Sequence, residues 1–239
     1  MTIEAIIFDK DGTLFDFAAT WSAFARALIE RISEGDTSRA ERIGARLGFE
    51  LETGTFAPDS VVIAATPAEI AEVLYPELPR MSSAEIVDML NDEAERAPQV
   101  EAVELVTFLS DLRTRGLRLG VATNDAEAPA LAHLGAAGVQ DRFDFIAGFD
   151  SGYGAKPLPG QLLAFADHVG IAPERVAMVG DSLHDLLAGR AAGMRTIGVL
   201  TGIAREADLS AHADVVLPHI GHIPSWLEAI RPSSEISGL

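Results

Sequence analysis

Cysteine is absent from the 239-residue chain, which excludes disulfides and thiolate metal sites and leaves oxygen and imidazole groups as the available metal ligands. Lysine is almost absent: Lys10 and Lys156 are the two in the chain, and the remaining Lys/Arg-type cations are all arginines. No apolar run approaches the ~18 residues that a bilayer-spanning helix needs. The N-terminus has neither the basic start nor the apolar stretch of a secretory signal, so a cytoplasmic protein without membrane association is expected. Positive charge is scarce overall. The formal net charge of −18 argues against non-specific nucleic-acid binding, which needs basic surface to displace phosphate counterions. It leaves anionic small molecules open as substrates, because a divalent cation and one or two local basic groups reverse the field inside a cleft.

What the chain does have is apolar residues, at 48%, enough for a sizeable core. Short apolar segments at 3–8, 117–122, 145–147, 176–179, 196–200 and 213–217 read as strands. Helical periodicity fits 103–115, 126–134, 159–169, 183–192 and 224–231. Alternation of this kind predicts an α/β fold with a doubly wound, mainly parallel, Rossmann-like sheet. Between 15 and 98 the pattern changes to helix-like segments at 18–33, 37–47, 67–74 and 83–97, with a short apolar run at 61–65 as the best strand candidate. The expected organisation is therefore a catalytic core of residues 1–15 and 98–239 interrupted by a helical insertion, 16–97, placed over the strand ends. The tail 233–239 is expected to fray.

The run Asp9-Lys10-Asp11-Gly12-Thr13-Leu14 follows the first strand directly. One carboxylate of such a pair can attack phosphorus while the other handles a proton, and Gly12 permits a turn sharp enough for backbone N–H groups to face phosphate oxygens. Paired aspartates also serve as plain turn residues, so the weight comes from three further polar clusters. Thr123-Asn124-Asp125 follows the second strand, Lys156-Pro157 precedes a helix, and Gly180-Asp181-Ser182-Leu183-His184-Asp185 follows the strand at 176–179. In an open parallel sheet all these positions lie at the ligand-binding edge. Asp181 and Asp185 are four apart, a spacing shared by one helix face. Together with Asp9 and Asp11 they gather up to four carboxylates. Two like charges ~4 Å apart repel by about 4 kcal/mol at an effective dielectric near 20, so a cation is required, and Mg²⁺ suits oxygen ligands and a phosphate substrate. Thr123 Oγ and the Asn124 N–H can donate to phosphate oxygens, and Lys156 supplies a compact positive charge.

These motifs, in this order, resemble the haloacid dehalogenase superfamily of phosphohydrolases. The run Ala188-Gly189-Arg190-Ala191-Ala192-Gly193-Met194 looks like its phosphoglycolate phosphatase-like branch. The resemblance implies Asp9 as the nucleophile that becomes an aspartyl-phosphate and Asp11 as general acid/base, with Thr123 and Lys156 binding the phosphoryl group. It implies Mg²⁺ held by the Asp9 carboxylate, the Asp11 carbonyl and Asp181, with Asp185 a ligand or an orienting neighbour. Lys10, Gly12 and Asn124 complete the phosphate-binding loops, Lys10 mainly through its backbone N–H. The implied activity is Mg²⁺-dependent hydrolysis of a small organic phosphomonoester, phosphoglycolate-like or a sugar phosphate, by a monomer or homodimer. A phosphomutase uses the same residues and is the alternative. An inactive regulatory copy of the fold would lack at least one of them, and none is missing.

Other residues invite a functional reading and are expected to be ordinary. His184 reads as a solvated helix residue, and His219 with His222 reads as a loop pair lacking a third ligand. Asp16 and Trp21 stand at the entrance of the insertion, where they could touch substrate. Arg26, Arg31, Arg39, Arg42 and Arg46 alternate with acids on amphipathic helices and read mostly as surface charge.

Overall fold

A computed structural model describes residues 2–57, 59–63 and 65–230. In chain order the elements are β1 (Ala5–Phe8), α1 (Phe17–Ser33), α2 (Thr37–Leu47), β2 (Phe49–Glu50), β3 (Thr55–Phe56), α3 (Pro67–Leu74), α4 (Ser83–Arg96), α5 (Leu105–Thr114) and β4 (Arg118–Ala122). They continue as α6 (Glu127–Ala136), β5 (Phe145–Ala147), α7 (Gly160–Val169), β6 (Val176–Gly180), α8 (Leu183–Ala191), β7 (Arg195–Val199), α9 (Glu206–Leu209), β8 (Val215–Leu217) and α10 (Ile223–Ala229).

Six strands form one parallel sheet in the order β5-β4-β1-β6-β7-β8. β1 is apolar and fully buried at every position, as a central parallel strand covered on both faces must be. Its side chains alternate between two cores. Ile6 and Phe8 pack with Leu105, Leu109 and Leu112 of α5 and with Leu227 of α10, whereas Ala5 and Ile7 pack with Leu162 and Phe165 of α7 and Ala188 of α8. This is the doubly wound α/β arrangement that the alternating pattern predicts.

Residues inserted after β1 build a third apolar cluster of their own, in which Phe24, Leu28, Ile43, Leu74, Ile86 and Leu90 meet. Each helix of the insertion opens with a side-chain cap: Asp16, Asp36, Thr66 and Ser82 accept backbone N–H groups from Ala19, Arg39, Glu69 and Glu85, the substitution of which typically costs ~1 kcal/mol. Glu69 and Glu85 reciprocate as capping boxes.

Two local expectations change. The apolar run at 61–65 is not a strand: Val61–Ile63 is a single 3₁₀ turn, because Ser60 Oγ accepts the Val62 N–H and donates to the Leu47 carbonyl, drawing the backbone into a turn. A two-residue hairpin, β2 with β3, occupies the stretch before it. Its strands are too short for period-two alternation to reveal. The expected helix at 224–231 is α10, and its last residue, like the tail 233–239, lies outside the described residues.

Candidate active site

Strand register delivers the site. Phe8 of β1 aligns with Val121 of β4 on one side and with Val179 of β6 on the other, so Asp9, Thr123 and Asp181 emerge at one sheet edge. β1 is also where the strand order reverses, the place where open parallel sheets leave a crevice.

Lys156 crosses this crevice. Its Nζ lies 2.7 Å from Asp9 Oδ1 and 2.6 Å from Asp185 Oδ1, and the lysine side chain is only 3% exposed. Asn124 holds the lysine in place through the backbone: its amide oxygen accepts the Lys156 N–H at 2.8 Å and its amide nitrogen donates to the Lys156 carbonyl at 2.9 Å. Asp185 is held just as firmly, its second oxygen accepting the Ser182 N–H at 3.0 Å and the Ser182 hydroxyl at 2.6 Å. Burial alone would lower the Lys156 pKa, yet the charges of Asp185 and Asp9 raise it, so the ammonium persists.

Asp181 is packed between two glycines. A Cβ at Gly12, whose φ is +77°, would meet the Asp181 carboxylate at 2.4 Å, and one at Gly202 would overlap it outright. Asp9, Asp181 and Asp185, all buried, each present an oxygen within 4.8 Å of the others. Burial, reinforced by Asp185 and Asp11 and opposed by Lys156, pushes Asp9 up to about 7. Burial with the charges of Asp185 and Asp9 likewise holds Asp181 well above the usual carboxylate range. Three crowded carboxylates against one ammonium are an incompletely neutralised, all-oxygen donor set, which fits a hard divalent cation.

Asp11 is oriented separately. Lys10 Nζ approaches its two oxygens at 2.8 and 2.6 Å, Asp125 Oδ2 at 3.3 Å and His133 Nδ1 at 3.1 Å. The Lys10 side chain is fully buried and does not line the cavity above Asp9. Position 10 is expected to contribute mainly its backbone N–H; its side chain adds an ammonium placed among two carboxylates and an imidazole, which fixes the Asp11 side chain. Burial pushes Asp125 up to about 6 against the pull of Lys10. Asp11 also stands apart from the carboxylates that gather as metal donors among the described residues.

Asp9, Asp11, Thr123, Asn124, Lys156 and Asp185 line one cavity. Trp21 and His184 line it too, while Asp16 serves instead as the cap of α1. His219 and His222 meet edge to face with ring centroids 4.3 Å apart, and His219 accepts the Gly221 N–H. Sequence reasoning did not single out Asp125, His133 or Gly202 for the roles they take. Asp125 and His133 act through contacts with Lys10 more than 100 residues away, and Gly202 through its approach to Asp181, none of which is a matter of local spacing. Only the adjacency of Asp125 to Thr123-Asn124 offered a hint.

A doubly wound parallel sheet with a lysine-bridged carboxylate cluster at its switch point is the arrangement of a Rossmann-like α/β enzyme. The chain belongs to the haloacid dehalogenase-like hydrolase family, whose model matches residues 3–193. It is 31% identical over 228 residues to a phosphoglycolate phosphatase of Xanthomonas campestris pv. campestris, covering 93% of this chain and 97% of that one. It is 35% identical over 207 residues to a probable phosphatase IndB of Dickeya dadantii, covering 86% and 85%. The fold also matches the crystal structure of a beta-phosphoglucomutase from Clostridium difficile with a TM-score of 0.66 at 18% identity, covering 95% and 98%. Among the described residues no helix is long and apolar enough to cross a membrane.

Proposed function

We propose that this protein is a Mg²⁺-dependent phosphatase that hydrolyses a small organic phosphomonoester through a phospho-Asp9 intermediate. The observation that carries the reading is the convergence of Asp9, Asp11, Thr123 and Lys156 on one cavity, with Lys156 Nζ 2.7 Å from Asp9 Oδ1. Asp9 attacks phosphorus, and Lys156 offsets negative charge on the nucleophile and the phosphoryl oxygens. Thr123 Oγ and the backbone N–H groups of Lys10, Asp11 and Asn124 donate to those oxygens, while the Gly12 N–H is donated to the Phe15 carbonyl. Asp11, steered by Lys10, protonates the departing alkoxide and then takes a proton from the water that opens the aspartyl-phosphate.

Asp9, Asp181 and the Asp11 carbonyl would hold Mg²⁺, which when bound supplies electrostatic stabilisation of charge on the phosphoryl group. Both Asp185 oxygens already accept protein donors, which favours an orienting role for Asp185. Residues 16–97 act as the cap that closes the cavity, and 1–15 with 98–239 act as the core. The family relation and the relatives' names support the reaction class; phosphoglycolate and sugar phosphates are the substrates those names suggest.

A phosphomutase would shield its phosphoenzyme from water and return the group to a sugar. Phosphatase-named relatives that span nearly the whole chain favour hydrolysis. The deciding experiment is phosphate release from p-nitrophenyl phosphate with Mg²⁺, with and without a sugar bisphosphate, alongside hydroxylamine-sensitive labelling of Asp9. Steady release without bisphosphate supports the phosphatase; turnover that depends on the bisphosphate supports the mutase.

A further inference from the structure

The inserted elements turn uncharged side chains toward the phosphoryl site. Phe17 and Trp21 of α1, Val62 and Ile63 of the 3₁₀ turn, Ile70 of α3 and Leu90 of α4 line the same cavity as Asp9, Asp11 and Lys156. Phe17 and Trp21 are stacked with centroids 6.1 Å apart, presenting aromatic surface. Five arginines of the insertion are engaged elsewhere. Arg26 lies over the Phe49 ring, Arg31 pairs with Glu93, Arg39 donates to the Glu77 carbonyl, and Arg42 and Arg46 pair with the Glu77 carboxylate. None of them lines the cavity. Its cationic or potentially cationic lining consists of Lys156, already bridging two carboxylates, and His184. Two neutral dipoles are left without a hydrogen-bond partner on lining residues, Trp21 Nε1 and Asn91 Oδ1.

A carboxylate on the leaving group would find no dedicated counter-charge on this apolar side, and an ionised group moved from water into such surroundings without a partner is heavily penalised. It would also be repelled by the aspartates across the cavity. A sugar would bring several hydroxyls to a wall of the insertion whose side chains, Asn91 apart, are aliphatic or aromatic. A flat apolar body matches the aromatic and aliphatic surface instead. We propose that the preferred leaving group is an uncharged alcohol with an apolar, ring-bearing body, in preference to glycolate or a sugar. This assignment of substrate class rests on the phosphatase reading above and departs from the substrate in the relatives' names.

The test compares benzyl phosphate, 2-phosphoglycolate and glucose 6-phosphate, all esters of primary alcohols, on the Mg²⁺-loaded full chain. Benzyl phosphate should have the highest kcat/KM by at least ~10-fold, mostly through KM, as hydrophobic-pocket discrimination of this kind delivers. Equal or better turnover of phosphoglycolate or glucose 6-phosphate overturns the assignment and leaves the phosphatase reading standing. Release of phosphate from none of the three, nor from p-nitrophenyl phosphate, overturns the phosphatase reading and the assignment with it. Calorimetric titration supplies a readout without turnover: 2-phenylethylphosphonate should bind more tightly than 3-phosphonopropanoate, and the reverse order overturns the proposal. Ile63→Arg, at a partly exposed lining position, should shift the benzyl-to-glycolate preference toward phosphoglycolate by ~10-fold. An unchanged ratio in a folded variant would show that this wall does not read the leaving group. Should the variant fail to fold, the two measurements on the unaltered protein still decide.

Discussion

Lys10 Nζ lies 3.1 Å from His133 Nδ1, and the opposite ring nitrogen of His133 lies 2.7 Å from the carbonyl of Ala94 on α4. Burial, reinforced by the Lys10 charge, pushes His133 down to about 4, so the imidazole is neutral near pH 7. Its Nδ1 accepts from the ammonium and its Nε2–H donates to Ala94. A continuous chain of bonds therefore joins Asp11, through Lys10 and His133, to the last turn of a helix in the insertion.

Substitution at His133 should be felt as stability. His133→Ala takes one of two donors from the Ala94 carbonyl, which keeps the Ala97 N–H, and removes an acceptor from the buried Lys10 ammonium, a loss that costs about 1–3 kcal/mol. Denaturant titration should show a destabilisation of about 2 kcal/mol or more. Lys10→Arg should depress kcat as well, since a forked guanidinium does not fit a fully buried ammonium site. Unchanged melting and turnover in Lys10→Arg would restore the simpler reading that only its backbone N–H matters.

Asp9→Asn should abolish turnover while preserving the fold, because an amide is a poor nucleophile. Asp11→Asn should be severely impaired on alkyl phosphates, whose alkoxide needs a proton. It should still form phosphoenzyme from p-nitrophenyl phosphate, whose leaving group does not. Rapid-quench mass measurement distinguishes the two, and near-normal turnover by Asp9→Asn would sink the covalent mechanism.

Chelation should remove activity, and Ca²⁺ should fail to restore it because it takes more ligands at longer distances and misplaces the nucleophile. The same carboxylates predict a pH signature. Asp9 and Asp125 stand at about 7 and about 6 in the folded chain, against 3.8 for an ordinary aspartate. The folded state therefore holds protons that the unfolded chain has released. Their stabilising contribution is complete below about pH 4 and is lost as pH rises through about 6 to 7. Because the metal replaces protons on Asp9 and Asp181, the gain in Tm on adding Mg²⁺ should be larger at pH about 7.5 than at about 5.5. An equal gain at both would mean that these carboxylates are already ionised without metal.

Lys156→Arg should be damaging although charge is retained. The Nζ bridges two carboxylate oxygens at 2.7 and 2.6 Å in a nearly closed site, geometry a compact ammonium satisfies and a planar fork does not. A loss of at least ~10²-fold in kcat/KM is expected, equivalent to about 2.7 kcal/mol of transition-state stabilisation. Wild-type kcat/KM in the variant would place the phosphate-binding cation elsewhere.

Much of the core was legible because its signals are local. Apolar strands ending in Asp9, in Thr123 and in Asp181 place chemistry at strand ends wherever the sheet is parallel, and the Asn124–Lys156 contact joins two loops that the motifs had already marked. The partners of Lys10 were not legible. His133 is 123 residues away, on a helix whose pattern reports only that one face is buried. The arginines of the insertion show the same boundary, since amphipathic spacing places Arg42 and Arg46 on a polar face without revealing that both converge on Glu77.

The sequence by itself determined the alternation of strands and helices, the carboxylates and lysine available for chemistry, and the absence of thiolate ligands, because each is a property of residue type and short-range spacing. Tertiary structure alone decided which carboxylate pairs with which lysine, which glycines press against Asp181, and that the insertion offers the cavity apolar side chains while its arginines face elsewhere. Those outcomes depend on the packing of segments distant in the chain, where an angstrom of separation and the loss of water set the energy of a charge, and neither quantity is written in local spacing.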